Sequence, residues 1–359
     1  MLNFIEIKNF RNFPGIAFDI KPGINILTGD NGVGKTNFLE AIYYLSRFES
    51  FRMGDDVDLI MHNKDYFYLK GVYRKDNIEV SYDGNKRVRK NGRVERKISN
   101  LYAFIPVVSF TPLDTIIVSG SPENKRRFLD NAISSVSTIY INYLKRYTRA
   151  LKQRNALLKA ISEGKSKKGE INIWNEKLAQ LGAELIKRRF DYIKRLEEKT
   201  KKVFRNFMRS SLSILYRTSI NIDGDIEENL IKNLEEKFDR DLMLGYTNIG
   251  PHRDNIGILV DEYDAQRYIS KGLQTIISFS IKVGEADLIK EVREESTIFL
   301  VDETVNELDK QNREIFIKIL EGFPQSFIAT IEIEFAKSSA FNIFKLEKMN
   351  ETTEIRQVN

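Results

Sequence analysis

Residues 23–38 read GINILTGDNGVGKTNF, and the fold turns on how that run divides. GINILT, at 23–28, is an apolar run suited to a buried strand. The next eight residues, GDNGVGKT at 29–36, fit the pattern G-x-x-x-x-G-K-[ST], with Gly29, Gly34, Lys35 and Thr36 in their places. From Thr36 onward Phe38, Leu39, Ile42, Tyr43 and Leu45 recur at helical spacing as far as residue 48. Strand, glycine-rich turn and helix in that order make a cradle for phosphate. Gly29, Asp30, Asn31, Gly32, Val33 and Gly34 supply backbone N–H groups, Asn37 follows in the same turn, and the helix presents its positive end. Lys35 is placed to neutralise the β- and γ-phosphates and the Thr36 hydroxyl to ligate Mg²⁺. The run therefore predicts a site for ATP with Mg²⁺.

A hydrolytic site also needs acids. Residues 298–303, IFLVDE, read as a buried strand ending in two carboxylates, the place where an open α/β sheet puts its reactive groups. Asp302 would hold the metal, directly or through water, and Glu303 would orient and deprotonate the attacking water. Alone, the run is equally well an ordinary strand with an acidic turn; beside the loop at Lys35 the catalytic reading leads. Between the two lies SKGLQ, residues 270–274, opening an apolar helix over 275–289. Its place and pattern look like an ABC signature, in which Ser270 and Gly272 at a helix start face the γ-phosphate bound by a second subunit. Glu307-Leu308-Asp309 resembles the D-loop of such ATPases.

The remaining composition narrows the class. At 359 residues the chain has room for two domains. No run approaches the length of a membrane span and no signal-peptide core opens the chain, so a cytoplasmic protein is expected. With no Cys and only His62 and His252, thiolate and histidine-rich metal sites are excluded. The net charge is +6, yet residues 125–209 carry 23 Lys and Arg against 8 Asp and Glu. Basic character is thus local. It fits a surface for DNA through Lys187, Arg188, Arg189, Lys194, Arg195, Lys201 and Lys202, or helix faces that are basic only for solvation; the concentration favours DNA.

A strand is expected at 3–10, an antiparallel meander over 66–97 with a basic, turn-like end at 86–97, and a helical lobe from 123 to about 208, broken at 164–170. The longest helical run, 172–207, is far shorter than an extended coiled-coil arm. The last third alternates strand and helix and ends in SFIATIEI. Trp174, Tyr140, Tyr143 and Tyr147 sit at spacings that pack helices. His252 reads as a hydrogen-bonded turn residue, and Arg253 as either a DNA or nucleotide contact or an ion-pair partner of Asp254.

Several strings together are similar to the RecF family of ABC/SMC-type ATPases: Asn9-Phe10-Arg11-Asn12, the loop at 29–37, SGSP at 119–122 with RRFLD at 126–130, LKQRNALL at 151–158, LGAE at 181–184, GPHRD at 250–254, and the runs at 270–285 and 300–309. The resemblance covers nearly the whole chain. It implies an α/β fold: an ABC-type P-loop ATPase head with an antiparallel β subsheet and an inserted helical lobe. Residues 1–115 and 275–359 would form lobe I, and 116–274 a mainly helical lobe II carrying the signature. It further implies a weak DNA-dependent ATPase that dimerises on ATP, clamps double-stranded or gapped DNA, and releases it on hydrolysis. The partners implied are RecR, in some bacteria RecO, and indirectly RecA, which is loaded at gaps. Arg11, Asn12, Asp309 and Thr330 join the nucleotide set on the same ground, Thr330 as a γ-phosphate sensor. The chain departs from the family at Leu273, usually glutamine; at Glu303, usually aspartate; and at Ala329-Thr330-Ile331, usually a threonine run. The alternative is an ABC-headed DNA-processing ATPase of another family. Its nuclease form needs a further domain, for which the roughly 50 residues after Asp309 are too few. A transporter ATPase subunit is disfavoured by the basic segment, and a vestigial site by the intact acids.

Overall fold

The computed structural model describes every residue except 53, 305–307, 332–340, 350, 351 and 359. The chain opens with β1 (Leu2–Phe10) and β2 (Phe13–Asp19), enters β3 (Gly23–Thr28) and turns through the glycine loop into α1 (Lys35–Arg47). It continues through β4 (Phe67–Tyr73), β5 (Asp76–Tyr82), β6 (Lys86–Lys90) and β7 (Arg93–Val94) to β8 (Val107–Phe110). Next come α2 (Ile116–Ser119), α3 (Pro122–Ser134), α4 (Thr138–Ser162), α5 (Ile171–Phe204), β9 (Leu212–Arg217), α6 (Ile226–Glu236), α7 (Phe238–Leu244), β10 (Asn255–Val260), β11 (Tyr263–Asp264) and α8 (Ala265–Tyr268). The last part is α9 (Lys271–Arg293), β12 (Ile298–Asp302), α10 (Lys310–Glu321), β13 (Gln325–Thr330), β14 (Asn342–Met349) and β15 (Thr352–Val358).

Two compact units result. Unit 1 is Met1–Thr115, Lys202–Arg209 and Ser270–Asn359; unit 2 is Ile116–Lys201 and Ser210–Ile269. The first sheet of unit 1, in the order β2-β1-β4-β5-β6-β7, is antiparallel throughout, and β4 alternates buried and half-buried residues as a one-faced strand does. Its second sheet runs β15-β14-β3-β13-β12-β8, parallel except for the edge strand β15. The central strands β12 and β13 are buried along their full length, because helices cover both faces. Ile298 and Leu300 of β12 pack into the core formed with α1, whereas Phe299 between them meets Phe279 of α9, whose ring stacks on Phe316 of α10 at 4.0 Å.

Unit 2 combines helices with the antiparallel sheet β11-β10-β9. Arg154 of α4 is fully buried and holds it together: it donates to Asn175 of α5 at 2.8 Å, to Asp241 of α7 at 2.7 Å and to Thr247 at 2.8 Å.

The structure differs from the sequence reading at five places, one of them Lys202–Arg209, which falls in unit 1 and not in the lobe read over 116–274. Within 86–97, expected to be turn-like, Lys86–Lys90 and Arg93–Val94 form β6 and β7, since Val88 faces inward opposite Val80. β2 went unread because only Phe13 of its seven residues is buried. β14 and β15 follow the strand that SFIATIEI predicted. The lobe break expected after 274 falls between Ile269 and Ser270, because Ser270 caps α9 and that continuous helix packs within unit 1.

Candidate active site

β3, β13 and β12 end side by side: Thr28 pairs with Thr330, and Ala329 with Asp302. The glycine loop and both acids therefore leave the sheet at one rim, where open α/β sheets hold ligands. Gly29 and Gly34 have φ of 146° and 106°. A Cβ on Gly29 would stand 2.4 Å from the Leu346 carbonyl oxygen, and one on Gly34 2.4 Å from the Asn12 amide nitrogen. Both positions require glycine on conformational and steric grounds, and the backbone stays open as a phosphate cradle.

Lys35 is 3 % exposed; its Nζ donates to the Gly29 and Asp30 carbonyls, each at 2.9 Å, and lies 3.3 Å from Glu303 Oε1. Thr36 Oγ1 donates to Asp302 Oδ1 at 2.8 Å. Burial raises the Asp302 carboxyl above its ordinary range, against the Thr36 hydrogen bond, which pulls it down; Glu303 adds to the rise, and Arg52 and Lys35 oppose it. Glu303 has φ 47° and is held by its N–H donating to the Ala329 carbonyl at 3.1 Å. A left-handed non-glycine residue at the mouth of a strand is local strain stored where the chemistry would occur. The adjacent hydroxyl and carboxylate of Thr36 and Asp302 suit Mg²⁺, which takes one or two protein oxygens when phosphates supply others. Among the described residues, no group of three or more acids, His or Cys could hold a metal.

Arg11 and Asn12 lie next to this loop but grip protein. Arg11 donates twice to Glu40, both at 2.9 Å, and to the Asp58 carbonyl at 2.9 Å. Asn12 donates to the Val33 carbonyl at 3.0 Å and to Thr353 Oγ1 at 2.6 Å, and accepts from Asn37 at 2.7 Å. With these bonds made, both side chains brace the glycine loop from beside the phosphate cradle. Two residues that the sequence reading passed over complete the surroundings. Thr353 donates to the Val33 carbonyl at 2.6 Å. Arg52 donates to Asn37 Oδ1 at 3.0 Å, sits 3.7 Å from the buried Glu40, and partly opposes the rise that burial imposes on the Asp302 carboxyl. Neither has a local sequence signal, because each reaches the loop through tertiary packing.

Ser270 is exposed and N-caps α9, accepting from the Leu273 N–H at 3.3 Å; Gly272 lies in the first turn. Asp309 N-caps α10, accepting from Asn312 at 2.9 Å. Among the described residues these three take no part in the hydrogen bonds around Lys35. Thr330 is buried at the end of β13. Glu307 lies outside the described residues.

Of the basic candidates on α5, Lys187, Lys194, Arg195 and Lys202 are exposed. Arg188 pairs with Glu184 at 3.2 Å and lies over the Tyr143 ring, and Lys201 pairs with Glu197 at 2.6 Å. Arg189 is a correction: it is 2 % exposed, bonded to Asp130 at 2.8 Å, to Tyr140 and to the Pro251 carbonyl, so it serves the core of unit 2 and not a phosphate. His252 Nδ1 meets the Tyr147 hydroxyl at 2.7 Å and Nε2 meets the Thr247 carbonyl at 3.0 Å; burial pushes its imidazole down to about 4. Arg253 stacks on Tyr246 instead of pairing with Asp254, which takes the Tyr216 hydroxyl.

Comparison with known proteins agrees with this arrangement. The family model described as RecF/RecN/SMC N terminal domain matches residues 1–354. The DNA replication and repair protein RecF of Heliobacterium modesticaldum is 34% identical over 341 residues, covering 92% of each chain, and that of Staphylococcus carnosus is 31% identical over 98% of each. Among solved structures, the recombination mediator protein RecF-ATP of the RecFOR pathway superposes with a TM-score of 0.92 at 30% identity, over 100% of this chain and 97% of that one. An Smc head domain from Pyrococcus furiosus shares the fold, with a TM-score of 0.57 at 15% identity. On these matches, and on a glycine loop and paired acids set at one sheet rim, the chain belongs to the RecF family of ABC/SMC-type ATPases.

Proposed function

We propose that this chain is an ATP-hydrolysing recombination mediator that binds double-stranded or gapped DNA in repair and replication restart. The observation that carries the reading is the pairing of Thr36 with Asp302 and of Lys35 with Glu303 at one rim. The loop N–H groups and Lys35 would hold the phosphates. Thr36 and Asp302 would hold Mg²⁺, which when bound supplies charge neutralisation at the phosphates. Glu303, whose side chain is 36% exposed, is the acid open to water and would orient and deprotonate the nucleophile. Arg52, near Asp302, adds positive charge on the same side.

The exposed N-terminus of α9 at Ser270 supports a composite site, in which each subunit closes over nucleotide bound by the other. ATP would then drive homodimerisation around DNA and hydrolysis would release it, with a slow, DNA-stimulated rate. The exposed cations of α5 support DNA contact. The pathway in which the ATP-bound relative acts supports RecR and RecO as partners and RecA loading as the outcome. No helix among the described residues is long and apolar enough to cross a membrane.

The test is the solution mass of the Glu303→Gln protein by light scattering, with and without ATP and Mg²⁺. A dimer only with ATP is expected, and Ser270→Arg in the same background should abolish it. A mass that ATP does not move, in a protein that still binds ATP, removes the composite-site clamp.

A further inference from the structure

We infer that the β6–β7 hairpin of unit 1 is a second DNA-contacting surface, separate from α5 and addressed to the phosphate backbone of duplex DNA. The inference rests on the DNA-binding reading above and adds a place to it. Residues 86–97, KRVRKNGRVERK, hold seven cations and one acid. Three of the cations have acids at hand: Lys86 lies 2.8 Å from Asp56, Arg87 2.7 Å from Asp83, and Lys90 3.5 Å from Asp76. Arg89, Arg93, Arg96 and Lys97 are exposed and form no ion pair among the described residues. Arg89 stands opposite Glu79 in the strand register, but Glu79 hydrogen-bonds Tyr68.

These cations sit on a rigid support. Asn91 and Gly92 have φ of 51° and 77°, the left-handed pair of a two-residue hairpin turn. The turn is tied to the neighbouring hairpin, since Asn91 accepts from the Asn77 N–H at 2.8 Å and donates to Asp76 at 2.6 Å. Val88 anchors β6 in the core. Edge strands carry charge to prevent pairing with other chains, and this hairpin carries more positive charge than its neighbouring acids offset. Here Lys90 faces Asp76 while Arg93 directly across from it forms no ion pair among the described residues, so the excess positive charge of the hairpin lies with Arg89, Arg93, Arg96 and Lys97. Such a cluster of cations draws the phosphates of a polyanion by charge. The only exposed large apolar side chain of the hairpin is Val94, with no ring for base stacking, so backbone contact to duplex is the fitting mode.

The test compares the full-length parent with Arg89→Ala/Arg93→Ala/Arg96→Ala and with the triple lysine variant, titrating a mixed-sequence DNA duplex over a series of salt concentrations. Loss of three phosphate contacts should weaken binding about tenfold or more and lower the slope of log K against log salt by about two to three, with the lysine variant near the parent. ATP affinity and thermal unfolding should stay unchanged, because the side chains are exposed and away from the glycine loop. An alanine variant with the parent's slope overturns the inference while leaving DNA binding by the chain intact. A parent with no salt-dependent DNA binding overturns both this inference and the DNA reading on which it rests.

Discussion

At the scale of single residues, the site separates groups that would touch substrate from groups that hold them. Lys35→Ala should weaken ATP binding by about 2–3 kcal/mol, roughly 30- to 150-fold, because a charged hydrogen-bond donor is lost from a buried position; calorimetric titration reads it. Glu303→Gln keeps the shape and loses the base, so binding should persist while single-turnover hydrolysis falls about 10²- to 10⁴-fold. Equal loss of binding and hydrolysis in the glutamine protein would mean that Glu303 is not the base. Arg189 makes the opposite case. Arg189→Met removes a buried guanidinium and leaves the half-buried Asp130 and the Pro251 carbonyl without its bonds, so about 2–3 kcal/mol of stability should go, read by urea unfolding, while DNA affinity of the folded fraction holds. The sequence made Lys35, Thr36, Asp302 and Glu303 legible because each belongs to a local pattern whose chemistry dictates residue type. Arg189 was misread for the same reason in reverse: a Lys-Arg-Arg run looks alike whether its third member faces water or the core.

At the scale of elements, the phosphate loop owes its shape to a hairpin that no local signal connects to it. β15 brings Thr353, which is 2 % exposed, onto the Val33 carbonyl, and β14 brings the Leu346 carbonyl under Gly29. Asn12, at the turn between β1 and β2, clamps the same stretch from Val33 to Asn37. Thr353→Val should therefore weaken ATP binding by about 1 kcal/mol, roughly fivefold, with Thr353→Ser close to the parent. An equal loss in the serine protein would assign the effect to packing rather than to the hydroxyl. The strand before the loop and the helix after it were readable from period and glycine placement. The buttress was not, because it depends on residues 320 positions apart meeting where the edge strand β15 reaches the glycine loop. For α9 both the apolar middle and the start at Ser270 were readable, and the structure adds the cap bond that Ser270 accepts from Leu273.

At the scale of the whole molecule, the two units are stabilised by different interiors, and that difference is open to measurement. Unit 1 carries the aromatic layers around Phe38 and Phe279, whereas unit 2 buries polar groups: Arg154 with Asp241, Arg189 with Asp130, and His252 between Tyr147 and Thr247. His252 is held neutral in the folded chain, mainly by burial and further by Arg253, Arg126 and Arg189, with its imidazole pushed down to about 4 against 6.5 when free. The unfolded chain takes up that proton first as pH falls, so stability is full above about pH 6.5 and is lost progressively down to about 4. Between pH 7 and pH 5 the histidine alone should remove about 2 kcal/mol. Asp254, raised by its burial, works in the opposite sense, so the comparison must be made against a chain lacking only the imidazole. Trp174, the one tryptophan, lies on α5 within unit 2, and its fluorescence reports that unit's unfolding. Urea midpoints of the parent should fall from pH 7 to pH 5 by an amount that His252→Gln, able to meet the same hydroxyl and carbonyl, reduces by about 2 kcal/mol. Parallel pH dependences in the two proteins would mean that the histidine is protonated without cost and that the polar interior of unit 2 draws its acid sensitivity from its carboxylates instead.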